Sequence, residues 1–314
     1  MEKQMRKVKT VALIGLGAIG SYIAGNLSKV MGDDLRIIAG GSRKERIERD
    51  GIVINGEPYH FHVVSPEEET GFADLAVIIT KFTGIKEALK DIKNQIGPDT
   101  IIMAPLNGVE SEEAVAEEYG WDRVIYSLAR VSVVMKGNQV SYNPKVAHLE
   151  FGEKTNETIS ERVQAVKDLF ESAGIESWIP EDMERAIWIK YMCNVSENQT
   201  AAVLGIPFGA WSGVSEHATE IREMVMREVV AVAQKKGIDL SEKDIQNQRE
   251  VIKRLPYQNK PSTLQDIESG RKTEVDMFAG TMVRLGRETG VPTPLNEFLY
   301  HAIHVLEEKN DGII

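Results

Sequence analysis

A parallel α/β domain followed by an all-helical one is the architecture that these 314 residues predict, on three observations. A short apolar run, Val11-Ala12-Leu13-Ile14, meets the glycine-rich segment Gly15-Leu16-Gly17-Ala18-Ile19-Gly20, and a helical pattern follows to about Val30. Apolar runs and helical stretches then alternate, which implies parallel strands joined by crossover helices. From Pro180 onward the apolar runs stop and helical periodicity takes over. The chain therefore reads as a Rossmann-type, doubly wound domain over residues 1–180 and a helical domain over 181–314.

Each element has its own signal. Val11–Ile14, Leu35–Ala39, Leu75–Thr80 and Ile101–Ala104 are short and nearly all apolar, as strands buried on both faces should be. Helices are expected near 42–50, 85–95 and 111–119. Ile52 to Val64, with Asn55-Gly56 in its middle, reads as a β-hairpin inserted between core strands. Val124 to Phe151 predicts further strands, with turns at Gly137-Asn138 and Asn143-Pro144. A helix over about 157–173 and a short strand at 176–179 complete the first domain. The second half predicts helices over 182–204, 215–236 and 241–253, then two or three pieces between 262 and about 309.

Composition narrows the function. Lys and Arg number 37 against 48 Asp and Glu, a net charge of -11 that opposes binding to nucleic acid or to an anionic membrane surface. No apolar run approaches the roughly 20 residues that a membrane span needs. The charged start, Met1 to Lys9, does not read as a secretory signal. Cys193 is the sole cysteine, which excludes an intrachain disulfide and a cysteine metal cluster. A cytoplasmic protein is expected. His60 with His62, and His301 with His304 and Glu297, are pairs without a strong third ligand, so no metal is expected.

The glycine segment is of the kind that binds a dinucleotide. Gly15 permits a tight turn, Gly17 leaves room for a pyrophosphate, and Gly20 lets the helix lie close to the sheet. The helix start then offers unpaired N–H groups to the phosphates. Residues 15–20 are thus the expected cofactor loop. The second strand ends in Ala39-Gly40-Gly41-Ser42-Arg43-Lys44, without the acidic residue that receives a ribose 2′-hydroxyl. Two cations and a hydroxyl suit a 2′-phosphate, so NADPH is the expected cofactor, with Ser42 and Arg43 as its main contacts. The plain alternative is a solvated helix start.

Reduction of a ketone would need a proton donor and polar groups for the substrate. Lys190, Asn194 and Asn198 stand at i, i+4 and i+8 in an apolar setting of Ile187, Trp188, Tyr191, Met192 and Val195. A partly desolvated lysine suits a general acid. A lysine snorkelling from an exposed face with two asparagines fits the same spacing equally well. In Ser262 to Glu274, Gly270 should end one helix and Thr273 cap the next, leaving Glu274 in its first turn and Asp266 supporting the turn. There the alternative is an N-cap serine and a glutamate that favours a helix dipole. Lys81 and Asn107-Gly108 follow apolar strands, at the end where open α/β sheets bind ligands, although either also fits ordinary loop chemistry.

Taken in order, five motifs resemble the ketopantoate reductase (2-dehydropantoate 2-reductase) family over nearly the whole chain. They are Gly15–Gly20; Lys81; Leu106-Asn107-Gly108; Trp188-x-Lys190 with Asn194 and Asn198; and Ser262-x-Leu264-Gln265-Asp266 leading to Arg271-x-Thr273-Glu274. The resemblance implies a C-terminal helical domain like that of 6-phosphogluconate dehydrogenase. It implies NADPH-dependent reduction of 2-dehydropantoate to (R)-pantoate, on the way to pantothenate and coenzyme A. It makes Lys190 the general acid and Glu274 the carboxylate that helps hold substrate and lysine. Asn107, Asn194, Asn198 and Ser262 would receive the substrate, Asn107 would also meet the cofactor, and Lys81 would lie near the nicotinamide. One departure stands out: Val195-Ser196-Glu197-Asn198-Gln199 is more polar than the family's usual apolar run. A Glu197 facing the substrate would repel it, unless the roughly 100° between neighbouring helical residues turns it away. Two other readings are open: a D-2-hydroxyacid dehydrogenase of this fold acting on another branched 2-oxo acid, and a nicotinamide-nucleotide sensor without catalysis, which would keep the glycine loop but not need Lys190, Asn194, Ser262 and Glu274 together. A small-molecule substrate is the expected partner, and wide apolar helix faces suggest a homodimer through the helical domain.

Overall fold

The structure is a computed structural model that describes residues 6–314. The first five residues of the charged start lie outside the described residues. The chain divides into two compact units, the second running Arg185–Ile314.

The first unit carries the strands and helices that the glycine pattern announced. In order they are β1 (Val11–Ile14), α1 (Ala18–Met31), β2 (Leu35–Ile38), α2 (Gly41–Asp50), β3 (Ile52–Ile54), β4 (Glu57–Tyr59), β5 (His62–Val64), β6 (Leu75–Ile78), α3 (Ile85–Asp91), β7 (Ile101–Met103), α4 (Ser111–Tyr119), β8 (Val124–Arg130), β9 (Val133–Lys136), β10 (Gln139–Tyr142), β11 (His148–Gly152), α5 (Glu161–Ser172) and β12 (Ser177–Trp178). The main sheet has the order β12-β11-β8-β7-β6-β1-β2-β5. From β5 to β8 neighbouring strands are parallel, and β11 runs antiparallel to β8. β1 to β2 and β5 builds outward one way; β6 then returns to the other side of β1. That reversal makes the β1/β6 junction the switch point of a doubly wound sheet. Helix-side packing explains the strand composition: Leu13, Ile37, Val77 and Met103 are in one core cluster, and Ala12, Ile14, Ile78 and Ile102 in another.

One expected element is corrected. The hairpin ends at Tyr59, closed by Asn55 (φ 49°) and Gly56 (φ 90°). Both torsions are positive, as the tight primed hairpin turn requires. His62–Val64 is instead an edge strand of the main sheet, parallel to β2. The apolar alternation was the same, but Val63 and Val64 find their burial against β2, not against the hairpin. His60 and His62 therefore do not share a strand face; His62 Nδ1 lies 2.9 Å from the Asp33 carbonyl. The hairpin joins β10 and β9 in a second, four-stranded sheet.

The helical unit is reached through α6 (Met183–Cys193), followed by α7 (Gln199–Leu204), α8 (Glu216–Lys235), α9 (Glu242–Ile252), α10 (Ser262–Glu268), α11 (Thr281–Thr289) and α12 (Pro294–Asn310). The predicted helix over 182–204 is interrupted: Asn194–Asn198 form a π turn between α6 and α7. A second π turn, Asp276–Gly280, leads into α11. Such turns make i→i+5 bonds and insert one residue into the helical sweep. Among the described residues no helix is long and apolar enough to cross a membrane, and no group of three or more His, Cys, Asp or Glu is placed to hold a metal ion.

Candidate active site

Because β1, β2, β6 and β7 are parallel and in register, the loops that follow them leave the sheet at one edge. That edge carries Gly15–Gly20 after β1, Ser42 and Arg43 after β2, Lys81 after β6, and Asn107 after β7.

The three loop glycines answer three different demands. Gly15 has φ +104°, and a Cβ there would sit 2.2 Å from the Ile79 carbonyl oxygen. A Cβ on Gly20 would sit 2.0 Å from the Gly15 carbonyl oxygen. Both are therefore required by the protein's own packing. Gly17 is different: its φ is -87°, and a Cβ would meet no atom within 4 Å. Nothing inside the protein needs the side chain to be absent there, while a pyrophosphate passing over the loop would. No acidic residue stands in the first turn of α1, so its N–H groups and dipole face outward uncompensated. The Thr80 hydroxyl, beside Gly15, is buried without a hydrogen-bond partner. These residues fit an anionic dinucleotide. Leu16 contributes backbone here, since its side chain packs in the core.

At the end of β2, Ser42 and Arg43 are exposed in the first turn of α2. Lys44 is not available to a ligand in the same way. Its ammonium sits 2.8 Å from Glu68 and 3.1 Å from the Ser65 hydroxyl. The Glu68 carboxyl, hydrogen-bonded by Lys44 and by Ser65, is held down to about 2. Of the two cations counted in the sequence, Arg43 is thus the one left for a phosphate. An open cleft of about 480 Å³ is lined by Leu16, Arg43, Arg46 and Met135 among others. Arg46 was missed from sequence; its i+3 spacing from Arg43 was the available signal.

In the helical unit, Lys190 and Asn194 are half-buried and Asn198 is 7% exposed. Their setting is apolar, with Trp188, Tyr191, Met192 and Val195 all buried. A straight α-helix would leave Lys190 and Asn198 about 80° apart, since eight residues sweep about 800°. The π turn absorbs one residue, so the sweep falls to about 700° and the two come within about 20°. The polar run that departs from the family pattern builds this turn. Ser196 Oγ donates to the Met192 carbonyl (2.8 Å), Gln199 Nε2 to Val195 (2.7 Å) and Thr200 Oγ1 to Ser196 (2.6 Å). These side chains bond back onto carbonyls of the same helical segment, and the Ser196 carbonyl also accepts the Gln199 N–H.

Glu197 also has its explanation. It is buried, accepts a hydrogen bond from Gln248 Nε2 at 3.0 Å, and lies 3.6 Å from Arg222. Arg222 is wholly buried, sits over the Trp211 ring at 5.7 Å, and lies 3.8 Å from Glu223. Arg249 and Arg227 pair with Glu223 from outside. The Glu197 charge is thus matched within the helical unit. Neither Arg222 nor Gln248 was legible as its partner, because both come from helices distant in sequence.

The last motif folds much as its residues suggested. Gly270 has φ +64° and closes α10 with the paired bonds Gly270 N–H to Ile267 and Arg271 N–H to Asp266. Asp266 supports the turn by accepting from Arg271 at 2.8 Å. Thr273 Oγ1 accepts from the Val275 N–H at 3.2 Å, and its own N–H and hydroxyl donate to Glu307 at 2.7 Å. Glu274 follows, half-buried, and its carbonyl accepts from Met277 and Phe278 at the start of the second π turn. Ser262 is not an N-cap: Pro261 holds that place, and Ser262 is exposed in the first turn of α10.

A doubly wound domain with a ligand-shaped glycine loop, joined to a helical domain that presents a lysine beside two amides, defines a two-domain, nicotinamide-dependent oxidoreductase. The chain belongs to the ketopantoate reductase family. The model described as ketopantoate reductase PanE/ApbA matches residues 11–156, and the one for the C-terminal domain of PanE/ApbA matches 182–307. The 2-dehydropantoate 2-reductase of Aquifex aeolicus is 27% identical over 305 residues, covering 95% of this chain and 97% of that protein. The crystal structure of 2-dehydropantoate 2-reductase from Methylococcus capsulatus superposes with a TM-score of 0.80 at 27% identity, over 96% of this chain and 97% of that one. A ternary structure of D-mandelate dehydrogenase with NADH and anilino(oxo)acetate superposes at 0.84 and 22% identity, over 96% and 99%, a likeness of fold. The parallel α/β plus helical architecture expected from sequence is that of these structures.

Proposed function

We propose that this protein reduces 2-dehydropantoate to (R)-pantoate with NADPH, in the cytoplasm, as a step toward pantothenate and coenzyme A. The observation that carries the reading is the face made by Lys190, Asn194 and Asn198, which a π turn aligns in an apolar setting. NADPH, when bound, supplies the hydride for the C2 ketone. Gly15–Gly20 would hold its pyrophosphate. Ser42 and Arg43, with Arg46 lining the same cleft as Arg43, would receive the 2′-phosphate. Lys81 would serve the nicotinamide end, and Asn107 both cofactor and substrate. Lys190 gives its proton to the oxygen that becomes the alcohol. Glu274 orients the lysine and the substrate, while Asn194, Asn198 and Ser262 receive the carboxylate and hydroxyl.

A second reading has one observation in its favour. Lys44 is committed to Glu68, so the 2′-phosphate site has fewer cations than its sequence suggests. A D-2-hydroxyacid dehydrogenase using NADH on another branched 2-oxo acid would tolerate this. Absorbance at 340 nm, followed with NADPH or NADH and a panel of 2-oxo acids, separates the two. Rapid NADPH oxidation with 2-dehydropantoate alone supports the first reading; turnover of another branched acid with NADH, and none with 2-dehydropantoate, replaces it with the second.

A further inference from the structure

Gln199 has no part in the chemistry above, yet it is wholly buried. A buried amide is costly unless both its ends are bonded. Its Nε2 donates to the Val195 carbonyl at 2.7 Å, and its Oε1 accepts from the Ala279 N–H at 3.0 Å. Val195 lies in the first π turn and Ala279 in the second. Tyr191, eight residues earlier, makes a parallel link: its hydroxyl donates to the Phe278 carbonyl at 2.8 Å. In a straight helix Tyr191 and Gln199 would diverge by about 80°; the absorbed residue brings them within about 20°, so both reach the same partner segment. Each link ends on a backbone group of the second π turn.

We propose that Gln199 is a positioning residue. It locks the two π turns to each other and thereby fixes the Asn194/Asn198 face relative to Glu274, which lies two residues before the second turn. The functional consequence rests on the substrate roles proposed above; the lock itself does not.

Gln199→Met keeps the bulk and removes both hydrogen bonds. Tyr191→Phe removes only the parallel link and serves if the first variant does not fold. For the full chain, four quantities are read: KM and kcat for the 2-oxo acid, the NADPH dissociation constant, and amide hydrogen exchange along the helical unit. The proposal expects KM to rise about 10- to 100-fold, as displaced positioning groups do. It expects unchanged NADPH affinity and faster exchange confined to residues 276–280 and the adjoining first turn. Unchanged KM with unchanged exchange overturns it. So does a uniform loss of protection across α8, α9 and α12, which would make Gln199 ordinary core packing. Should the wild-type protein reduce no 2-oxo acid, the functional reading fails, and exchange alone decides: selective acceleration at 276–280 keeps the lock, and any other pattern discards it.

Discussion

The glycine loop of the first unit and the lysine face of the second are built on different terms. In the loop, the backbone is the functional group. Gly15 and Gly20 are closed in by neighbouring backbone, while Gly17 opens onto space. In the helical unit, side chains are the proposed functional groups, and the backbone sets only their register. A loop of the first kind fails through its glycines. A face of the second kind fails through one side chain, or through the turn that aligns it. The most damaging substitution should therefore act on chemistry in one unit and on binding in the other.

Lys190→Ala offers the largest effect. It should lower turnover by about 10²–10⁴-fold while leaving NADPH affinity intact, as removal of a general acid does. Near wild-type turnover in steady-state assays would take Lys190 out of the mechanism. Gly17→Ala should do the reverse. The added methyl has room and an allowed φ, so the melting temperature should hold, while cofactor affinity falls by about tenfold or more, about 1.4 kcal/mol. Gly20→Ala must instead push backbone apart and should lower the melting temperature itself. Equal melting temperatures for the two variants, measured without cofactor, would erase the distinction between them.

This contrast also explains how much could be read beforehand. The parallel sheet, its order of elements and the helical second half were legible because strand burial and helix periodicity are local patterns. The glycine loop was legible because its constraints are local too. His62–Val64 was misplaced because alternation says that a strand is half-buried and not which sheet buries it. The π turn at 194–198 was hidden for a similar reason: the polar run that forms it looked like a departure from pattern, since its bonds go to carbonyls of its own chain segment. Glu197 seemed to threaten the substrate because Arg222 and Gln248 are 25 and 51 residues away in sequence. Lys44 seemed free because Glu68 lies on a loop that no periodicity marks.

Arg43→Ala carries the comparison to a third kind of group, an exposed side chain at a helix start. It should weaken NADPH about tenfold and barely touch NADH, since the pair differs only in the 2′-phosphate. Lys44→Ala is the control, because Glu68 already holds that ammonium; it should change neither affinity by much. Fluorescence titrations of both cofactors give the four numbers. Parallel losses of NADPH and NADH on Arg43→Ala would mean that Arg43 does not read the phosphate.

The smallest expected effect concerns acid stability, and it is confined to the helical unit. Burial of the Glu223 carboxyl pushes its pKa up, but the hydrogen bond and charge of Arg249, with Arg222 and Arg227, more than offset this and hold it below the usual range. A group whose folded pKa is depressed adds stability above its unfolded value, near 4.3 for a glutamate. That stability is lost as pH falls from there through the folded value. Glu307 behaves alike: burial opposes ionisation, and the Thr273 donors, Lys272 and His304 outweigh it. Urea midpoints of the wild type and Glu223→Gln, taken from about pH 6 down to about pH 3, should therefore converge as the wild-type carboxylate is protonated. The variant leaves Arg222 facing Glu197 alone, so a gap is expected at the upper end, and its narrowing is the signal. A gap of constant width would mean that the arginines around Glu223 stabilise the fold by packing and not by pairing with its charge.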